Sequence, residues 1–141
     1  MMKISTRGQY ALLIMTELAE QAAEKFIPLK LLSHRHNMSV KYLEQILIQL
    51  SKAGLIKGVR GSNGGYRLVK KTEEYTTGEI LRALEGNLSP VGEKKNNVVT
   101  DIGNIEYWKK FEKVVNDYVD SVTLDKLVEN NKENSSLMYY I

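Results

Sequence analysis

Side chains that could bind bases and phosphates are concentrated in two short segments of the chain. In the first, Lys41, Glu44 and Gln45 place an ammonium group, a carboxylate and an amide close together. A glutamine can pair bidentately with adenine, a glutamate can accept from the cytosine amino group, and a lysine can contact phosphate or guanine. The second segment is a glycine-rich stretch flanked by Arg60 and Arg67, whose charges could enter a minor groove or clamp phosphates. These residue types therefore indicate recognition of nucleic acid.

The predicted DNA-contacting positions extend from the start of the chain to the end of the glycine-rich stretch. They are Arg7, Ser39, Lys41, Tyr42, Glu44, Gln45, Arg60, Gly61, Gly64, Gly65 and Arg67. The residues expected to read bases are Arg60, Gln45 and Glu44. The residues expected to hold phosphates are Lys41, Arg7 and Arg67. The alternative is that these polar side chains are only solvated, while the apolar residues between them form a core.

Helical periodicity around the first segment predicts a helix-turn-helix. Apolar residues recur every three or four positions over residues 5–24, which predicts a first amphipathic helix. A second helix is predicted over residues 28–36, with Pro28 in a first turn that tolerates it. Asn37 and Met38 are predicted to form a very short turn. Ser39 is then a predicted N-cap, and Gly54 is expected to end the third helix as a C′ glycine. Two helices joined by so short a turn are typical of helix-turn-helix motifs.

A β-hairpin is predicted directly after the third helix. Strand-like runs at residues 55–60 and 66–69 surround the glycine-rich residues 61–65. A hairpin in this position is a wing. Thr76 or Thr77 is then expected to cap a further helix that closes at Gly86.

The C-terminal part is predicted to supply a dimer contact. Residues 87–104 show little periodicity and are interpreted as a linker or loop. Beyond it, apolar residues at intervals of three and four form a seam along a helix of about five turns, which is typical of a dimerisation helix. The seam comprises Ile105, Trp108, Phe111, Val115, Tyr118 and Val122. A short helix over residues 124–128 is expected next, followed by a loose polar stretch over residues 130–136. Packing of the seam within one protomer is the alternative.

These elements together predict a mainly α fold with a small β wing. We expect a winged helix-turn-helix domain over residues 1–86, a linker or loop over 87–104, dimerisation helices over 105–129, and a flexible tail with an apolar end over 130–141.

Composition excludes several classes of chemistry. The 141 residues contain no cysteine, which removes disulfides, thiolate metal sites and cysteine nucleophiles. His34 and His36 lie two apart without a third ligand at suitable spacing, and no nucleophile, base and orienting group emerge from the acidic residues. We therefore expect no metal, no cofactor and no enzyme activity. No segment has the apolar length of a membrane span or the pattern of a leader, so a soluble, cytoplasmic protein is expected.

The charge is divided unevenly along the chain. The net charge of +3 combines twelve Lys and Arg against four acidic residues in residues 1–71 with eight against thirteen in the remainder. A basic half joined to an acidic half suggests a polyanionic partner for the basic half, because Lys and Arg that neutralise phosphates release condensed counterions. The alternative is a chance distribution of solvated surface charge.

Several motifs resemble those of the Rrf-type winged-helix transcription regulators of bacteria. The segments concerned are residues 2–11, 42–46, 53–56, 59–66, 78–80 and 84–86, and the likeness covers nearly all of residues 2–91. The resemblance implies a homodimer that binds double-stranded DNA. Cluster-binding members of the family carry three cysteines in the loop that corresponds to residues 87–104, and this sequence has none there. An iron–sulfur cluster is therefore not expected.

The likeness is strongest to the family's cysteine-metabolism repressors and extends to the last residue. It implies that cysteine synthase (O-acetylserine thiol-lyase) is the corepressor. This enzyme binds an isoleucine-ended tail of serine acetyltransferase in its active site, so we expect Tyr140 and Ile141 to dock there in the same manner. The alternative is that the apolar tail packs on the dimer's own surface. Two other readings stay open, a winged-helix sensor of small molecules and a module that chiefly inhibits cysteine synthase.

Overall fold

The computed structural model describes residues 3–21, 24–90 and 101–139. Within these ranges the elements follow the order helix, helix, helix, hairpin, helix, helix, helix. They are α1 (Thr6–Ala19), α2 (Leu29–His36), α3 (Val40–Lys52), β1 (Ile56–Val59), β2 (Gly65–Leu68), a 3-10 helix (Thr72–Glu74), α4 (Thr77–Glu85), α5 (Ile102–Ser121) and α6 (Leu124–Tyr139). None of the described helices is both long enough and apolar enough to cross a membrane.

The helix-turn-helix forms where local sequence signals place it. Asn37 adopts the left-handed conformation between α2 and α3 (φ 50°, ψ 46°), a region that asparagine tolerates better than most residues. The Ser39 side chain then accepts a hydrogen bond from the Tyr42 backbone N–H at 3.1 Å and caps α3. Gly54, with φ 76°, reverses the chain after α3. The predicted caps at Ser39 and Gly54 are confirmed.

One apolar core joins the first four helices, the wing and the start of α6. Its fully buried members include Ala11, Ile14, Met15, Leu32, Leu43, Ile46, Leu47, Leu50, Tyr75, Ile80 and Leu124. Because α3 contributes four buried residues on one side, its opposite side is left free to face a partner.

The wing is held at its base by a third extended segment. β1 and β2 pair antiparallel, with Ile56 opposite Leu68 and Val59 opposite Gly65. Tyr66 and Ile27 also exchange two backbone hydrogen bonds of 2.9 Å each, so the segment before α2 extends the hairpin. At this crossing Gly65 has φ 142°, and a Cβ there would lie 2.2 Å from the Ile27 carbonyl oxygen. Only glycine fits this position.

The buried Tyr75 fixes the other end of the wing. Its hydroxyl accepts hydrogen bonds from the backbone N–H groups of Val69 (2.9 Å) and Lys70 (3.1 Å) and donates to the Leu55 carbonyl (2.7 Å). The side chain is fully buried, so no water replaces these bonds. Tyr75 therefore connects the residues that enter β1 to those that leave β2.

Tyr75→Phe is expected to lower the free energy of unfolding by about 1–3 kcal/mol, because it removes the buried bond to the Leu55 carbonyl and the part-buried bonds from the Val69 and Lys70 N–H groups. Urea denaturation followed by circular dichroism measures this change. Tyr107→Phe is the matched control, since Tyr107 is 58% exposed. Equal stability of both variants would show that the hydroxyl does not hold the wing.

The bounds of α1 and α5 differ from the sequence prediction, and one additional element is present. α1 ends at Ala19 rather than near Glu24, because the chain must turn early enough to bring Ile27 to β2. α5 starts at Ile102, so the final residues of the predicted loop are helical, while residues 91–100 lie outside the described ranges. A 3-10 helix, Thr72–Glu74, precedes α4 and was not predicted.

α6 is longer than predicted, and the expectation of a loose polar stretch over residues 130–136 is wrong. The helix continues to Tyr139 and lies along α1. Leu127 packs against the core, and the Asn131 amide donates a hydrogen bond to Glu20 at 3.2 Å. Tertiary packing on α1 stabilises a helix whose polar composition gave no periodic signal.

An ion pair fixes α5 to the winged domain. Arg82 of α4 donates to both carboxylate oxygens of Asp120 (2.6 and 3.0 Å) and to the Asn116 side chain (2.7 Å). Asn116 in turn donates to the Leu88 carbonyl at 2.8 Å. This network sets the direction in which α5 leaves the domain.

The hydrogen bonds that Arg82 donates lower the pKa of Asp120, with partial burial acting in the opposite direction. A lowered folded-state pKa contributes stability that is present above the unfolded pKa of Asp and is lost as the pH falls through the folded value. Because the Asp120 side chain is 49% exposed, we expect this contribution to stay below about 1 kcal/mol. Unfolding measured from neutral to acid pH should show a weaker acid dependence in Asp120→Asn. An unchanged dependence would contradict the assignment.

Candidate nucleic-acid interface

The outward face of α3 carries the polar residues that the sequence singled out. Lys41, Glu44 and Gln45 are exposed, whereas Leu43 and Ile46 on the opposite side are fully buried. Ser39 is exposed at the N-cap. The helix therefore presents an ammonium group, a carboxylate and an amide from its first two turns, the part that enters a major groove in helix-turn-helix proteins.

Arg7 joins this surface from α1. Its guanidinium donates to the Gln45 side-chain oxygen at 3.2 Å and to the Gln49 side-chain oxygen at 3.4 Å. It also lies 6.0 Å from the centre of the Tyr42 ring, which Tyr10 contacts edge-on at 6.1 Å. α1 and α3 thus form one continuous surface at their N-terminal halves.

The wing contributes charge beside α3. Lys57 and Arg60 are exposed on β1 and at the start of the turn. Arg67 lies on β2 with its guanidinium 4.8 Å from the centre of the Phe26 ring, which holds it against the segment before α2. Contact with an aromatic ring uses none of the N–H donors of the guanidinium in a conventional hydrogen bond, so they can still bind an anion.

The predicted wing glycines occupy different surroundings. Gly61 is exposed with φ 118°, and a Cβ there would meet nothing within 4 Å. Gly64 is buried against the Val59 carbonyl, and Gly65 lies against Ile27. Gly61 is therefore open to a ligand, whereas Gly64 and Gly65 shape the turn. Direct DNA contact by these glycines stays a prediction.

The cations of the interface are free of intramolecular carboxylates. Across the described residues, no ion pair involves Arg7, Lys41 or Arg60. Their charge is consequently available to an external anion, and phosphate is the anion that a surface of this shape meets in a duplex.

Sequence reasoning missed three contributors to this surface. Gln49 lies one turn after Gln45 on the same face of α3, a spacing that could have identified it. Lys57 alternates outward on β1 and could have been found in the same way. Phe26 carries no local signal, because its contact with Arg67 arises only when β2 pairs with the segment before α2.

The two histidines have structural surroundings. His36 forms a hydrogen bond with Glu17 of α1, and Arg35 donates to the same carboxylate at 2.5 Å. His34 is exposed. Nowhere in the described part of the chain do three His, Cys, Asp or Glu residues come together in a group that could hold a metal ion.

The apolar seam of α5 forms a second candidate surface. α5 contributes no buried residue, and it contacts α4 through Asn116, Val119 and Asp120 rather than through the seam. Trp108 and Phe111 pack edge-to-face at 5.9 Å, and Tyr118 is 67% exposed. A single protomer therefore covers this apolar surface only in part.

The remaining seam residues fall into two groups. Ile105, Phe111 and Val115 are half-buried on α5 itself. Val122 follows the last helical residue, Ser121, and its carbonyl accepts a hydrogen bond from the Thr77 backbone N–H at 2.9 Å. Its placement on the helical seam is therefore wrong, because the chain becomes extended there to start α6. Tyr140 and Ile141 lie outside the described residues.

Comparison with known proteins agrees with this geometry. A family model described as "Rrf2: Iron-dependent Transcriptional regulator" matches residues 4–130. The HTH-type transcriptional regulator CymR of Bacillus subtilis is 39% identical over 99% of this chain and 100% of its own length. The solved structure of CymR, the global cysteine regulator of B. subtilis, covers 92% of this chain and 98% of its own with a TM-score of 0.82. The IscR structure from T. potens is 34% identical and gives a TM-score of 0.76, covering 94% of this chain and 90% of its own.

These matches confirm the predicted fold class, a mainly helical winged helix-turn-helix. The relatives are transcription regulators rather than enzymes, in agreement with the expectation from composition.

Proposed function

Because the chain belongs to the Rrf2 family of transcriptional regulators, we propose that it is a homodimeric, sequence-specific repressor of cysteine and sulfur metabolism genes. The observation that carries this proposal is the surface formed by α3 and Arg7, together with the cations of the wing. It combines exposed hydrogen-bonding groups with cations that no described carboxylate neutralises.

The proposed binding mode follows from the placement of these groups. α3 enters a major groove, where Glu44 and Gln45 face base edges. Arg60 at the wing reads a flanking groove, and Lys41 and Arg67 hold phosphates. Repression results when the bound dimer occludes a promoter.

The homodimer is supported by the partly uncovered seam of α5. The seam presents aromatic and aliphatic side chains on a helix without buried residues, and pairing with a second copy removes them from water. A homodimer of this kind binds a pseudo-palindromic operator with one recognition helix in each of two successive major grooves.

The donor set does not fit an iron–sulfur cluster, although the family description mentions iron. The sequence contains no cysteine to supply thiolate ligands. We therefore propose regulation without a cluster.

A role in cysteine metabolism is supported by the likeness to CymR, the global cysteine regulator of B. subtilis. On this basis we propose cysteine synthase as the corepressor, with Tyr140 and Ile141 as the segment that docks in its active site. Deleting Ile141 tests the docking: loss of enzyme binding with intact dimer and DNA binding supports it. Unchanged enzyme binding would place the contact elsewhere.

The decisive experiment measures DNA binding by fluorescence anisotropy at fixed, near-physiological salt. The probes are promoters of cysteine-metabolism genes and a scrambled duplex, each with and without cysteine synthase of the same organism. Selective binding that tightens only with the enzyme supports both the regulator and its corepressor. Selective binding whose affinity is unchanged by the enzyme supports a regulator that responds to a small molecule. Equal affinity for the scrambled duplex would refute sequence-specific regulation and favour a module that chiefly inhibits the enzyme.

A further inference from the structure

The side-chain amide of Gln45 cannot turn both its oxygen and its nitrogen toward a ligand, because the oxygen is already bonded. The Arg7 guanidinium donates to its side-chain oxygen at 3.2 Å. Arginine has five N–H donors and no acceptor, so only the oxygen of a neighbouring amide can face it. The Gln45 oxygen therefore points toward α1, and the amide nitrogen points away.

Arg7 is itself held in one position. Its side chain is half-buried and donates a hydrogen bond to the Gln49 side-chain oxygen at 3.4 Å. The guanidinium also lies 6.0 Å from the centre of the Tyr42 ring. The helix that carries it is fixed as well, because the Ser5 backbone N–H at the start of α1 donates to Glu85 of α4 at 3.0 Å. The orientation of the Gln45 amide is thus set by packing between α1, α3 and α4.

A fixed orientation restricts the bases that Gln45 can recognise. Bidentate pairing with adenine uses the amide oxygen as acceptor and the nitrogen as donor at the same base edge. With the oxygen turned toward Arg7, the nitrogen alone faces outward as a donor. It can then pair with an acceptor such as purine N7, guanine O6 or thymine O4, but not with the cytosine amino group.

We propose that Arg7 is a specificity-determining residue, which orients Gln45 to read acceptor edges of bases and to reject cytosine. This rests on the proposed function as a sequence-specific DNA-binding protein. Arg7 keeps N–H groups free for a phosphate, so it positions Gln45 and adds affinity at the same time.

The test compares base preferences of purified full-length variants by selection from random DNA and by affinity for single-base variants of the selected site. Gln45→Ala identifies the base pair that Gln45 reads. On the strand that Gln45 faces at that pair, we expect the wild-type protein to prefer guanine or thymine over cytosine by about tenfold. Arg7→Met, which keeps the side-chain length and removes the donors, is expected to lose most of this preference. In the Gln45→Ala background, Arg7→Met should change the preference no further.

Lys41→Met is the matched control, since Lys41 is an exposed cation beside the same groove. Lys41→Met should weaken binding to all sequences alike. It should also reduce the slope of log affinity against log salt concentration by about 1, as the loss of one phosphate contact does. If Arg7→Met behaves in the same way, with the base preference unchanged, Arg7 is only a phosphate ligand and the proposal is overturned.

A second measurement needs no variant of Arg7. Where the selected base is guanine, 7-deazaguanine at the Gln45-dependent pair removes the N7 acceptor and should reduce wild-type affinity. The amino group of adenine or cytosine at that pair is removed in turn, with purine for adenine and 2-pyrimidinone for cytosine. A loss of wild-type affinity would show that the Gln45 oxygen accepts from a base, and it would overturn the proposal. Selection that enriches no sequence at all would instead refute the proposed function, so the two failures are distinguishable.

Discussion

Gly65→Ala is expected to lower the free energy of unfolding by about 3 kcal/mol or more and to weaken DNA binding at least about tenfold. An alanine Cβ would lie 2.2 Å from the Ile27 carbonyl oxygen, and the backbone has φ 142° there. The three nearest atoms, the carbonyl oxygen and carbon of Ile27 and the nitrogen of Pro28, all belong to the backbone, so no side-chain rotation relieves the overlap. The wing must then separate from the segment before α2, and Arg67 loses its position on Phe26. Urea denaturation and fluorescence anisotropy with an operator duplex measure the two effects.

Gly61→Ala is the matched control for this prediction. Gly61 also has a positive φ, 118°, but a Cβ there meets nothing within 4 Å. The Gly61→Ala variant should therefore lose only about 1 kcal/mol of its free energy of unfolding, the cost of placing alanine at a positive φ. Equal losses in the two variants would show that contact with Ile27 does not decide the fold of the wing.

Tyr118→Glu is expected to yield a folded monomer with at least about 100-fold weaker operator binding. Tyr118 is 67% exposed, so its replacement removes little burial within the protomer. In a dimer through the seam, the substitution would place a carboxylate in each half of an apolar interface, where an unpaired charge is costly. Once the protomers separate, the two recognition helices no longer bind as one unit. Analytical ultracentrifugation gives the oligomeric state, and anisotropy gives the affinity.

Lys110→Glu supplies the control on the same helix. Lys110 is exposed, and no seam residue lies three or four positions from it, so it is not a neighbour of the seam on the helix surface. This variant should remain dimeric and bind DNA as the wild type does. If the Tyr118→Glu protein stays dimeric, the dimer interface does not include the seam.

Features that depend on neighbouring residues were predictable from the sequence. The Ser39 cap, the turn at Asn37 and the reversal at Gly54 each involve contacts within a few residues, and all three occur where expected. The glycine-rich hairpin is equally local. Because the resemblance rests on these same segments, it identified the family and the winged-helix fold.

Features that depend on distant residues were not predictable from pattern alone. The polar part of α6 is helical because Leu127 and Asn131 pack on α1, a contact between segments about a hundred residues apart. Val122 was assigned to the seam by its spacing, but pairing with Thr77 ends α5 before it.

Local sequence is enough to locate the recognition helix and the wing, because capping and turn formation depend on adjacent residues. The way these two elements present their side chains depends on contacts between distant parts of the chain. The orientation of Gln45 depends on Arg7 of α1, 38 positions away. The position of Arg67 depends on the pairing of Ile27 with Tyr66. Such contacts form only when the core has fixed the helices and the wing against one another. The spacing of apolar residues along the sequence therefore does not predict them.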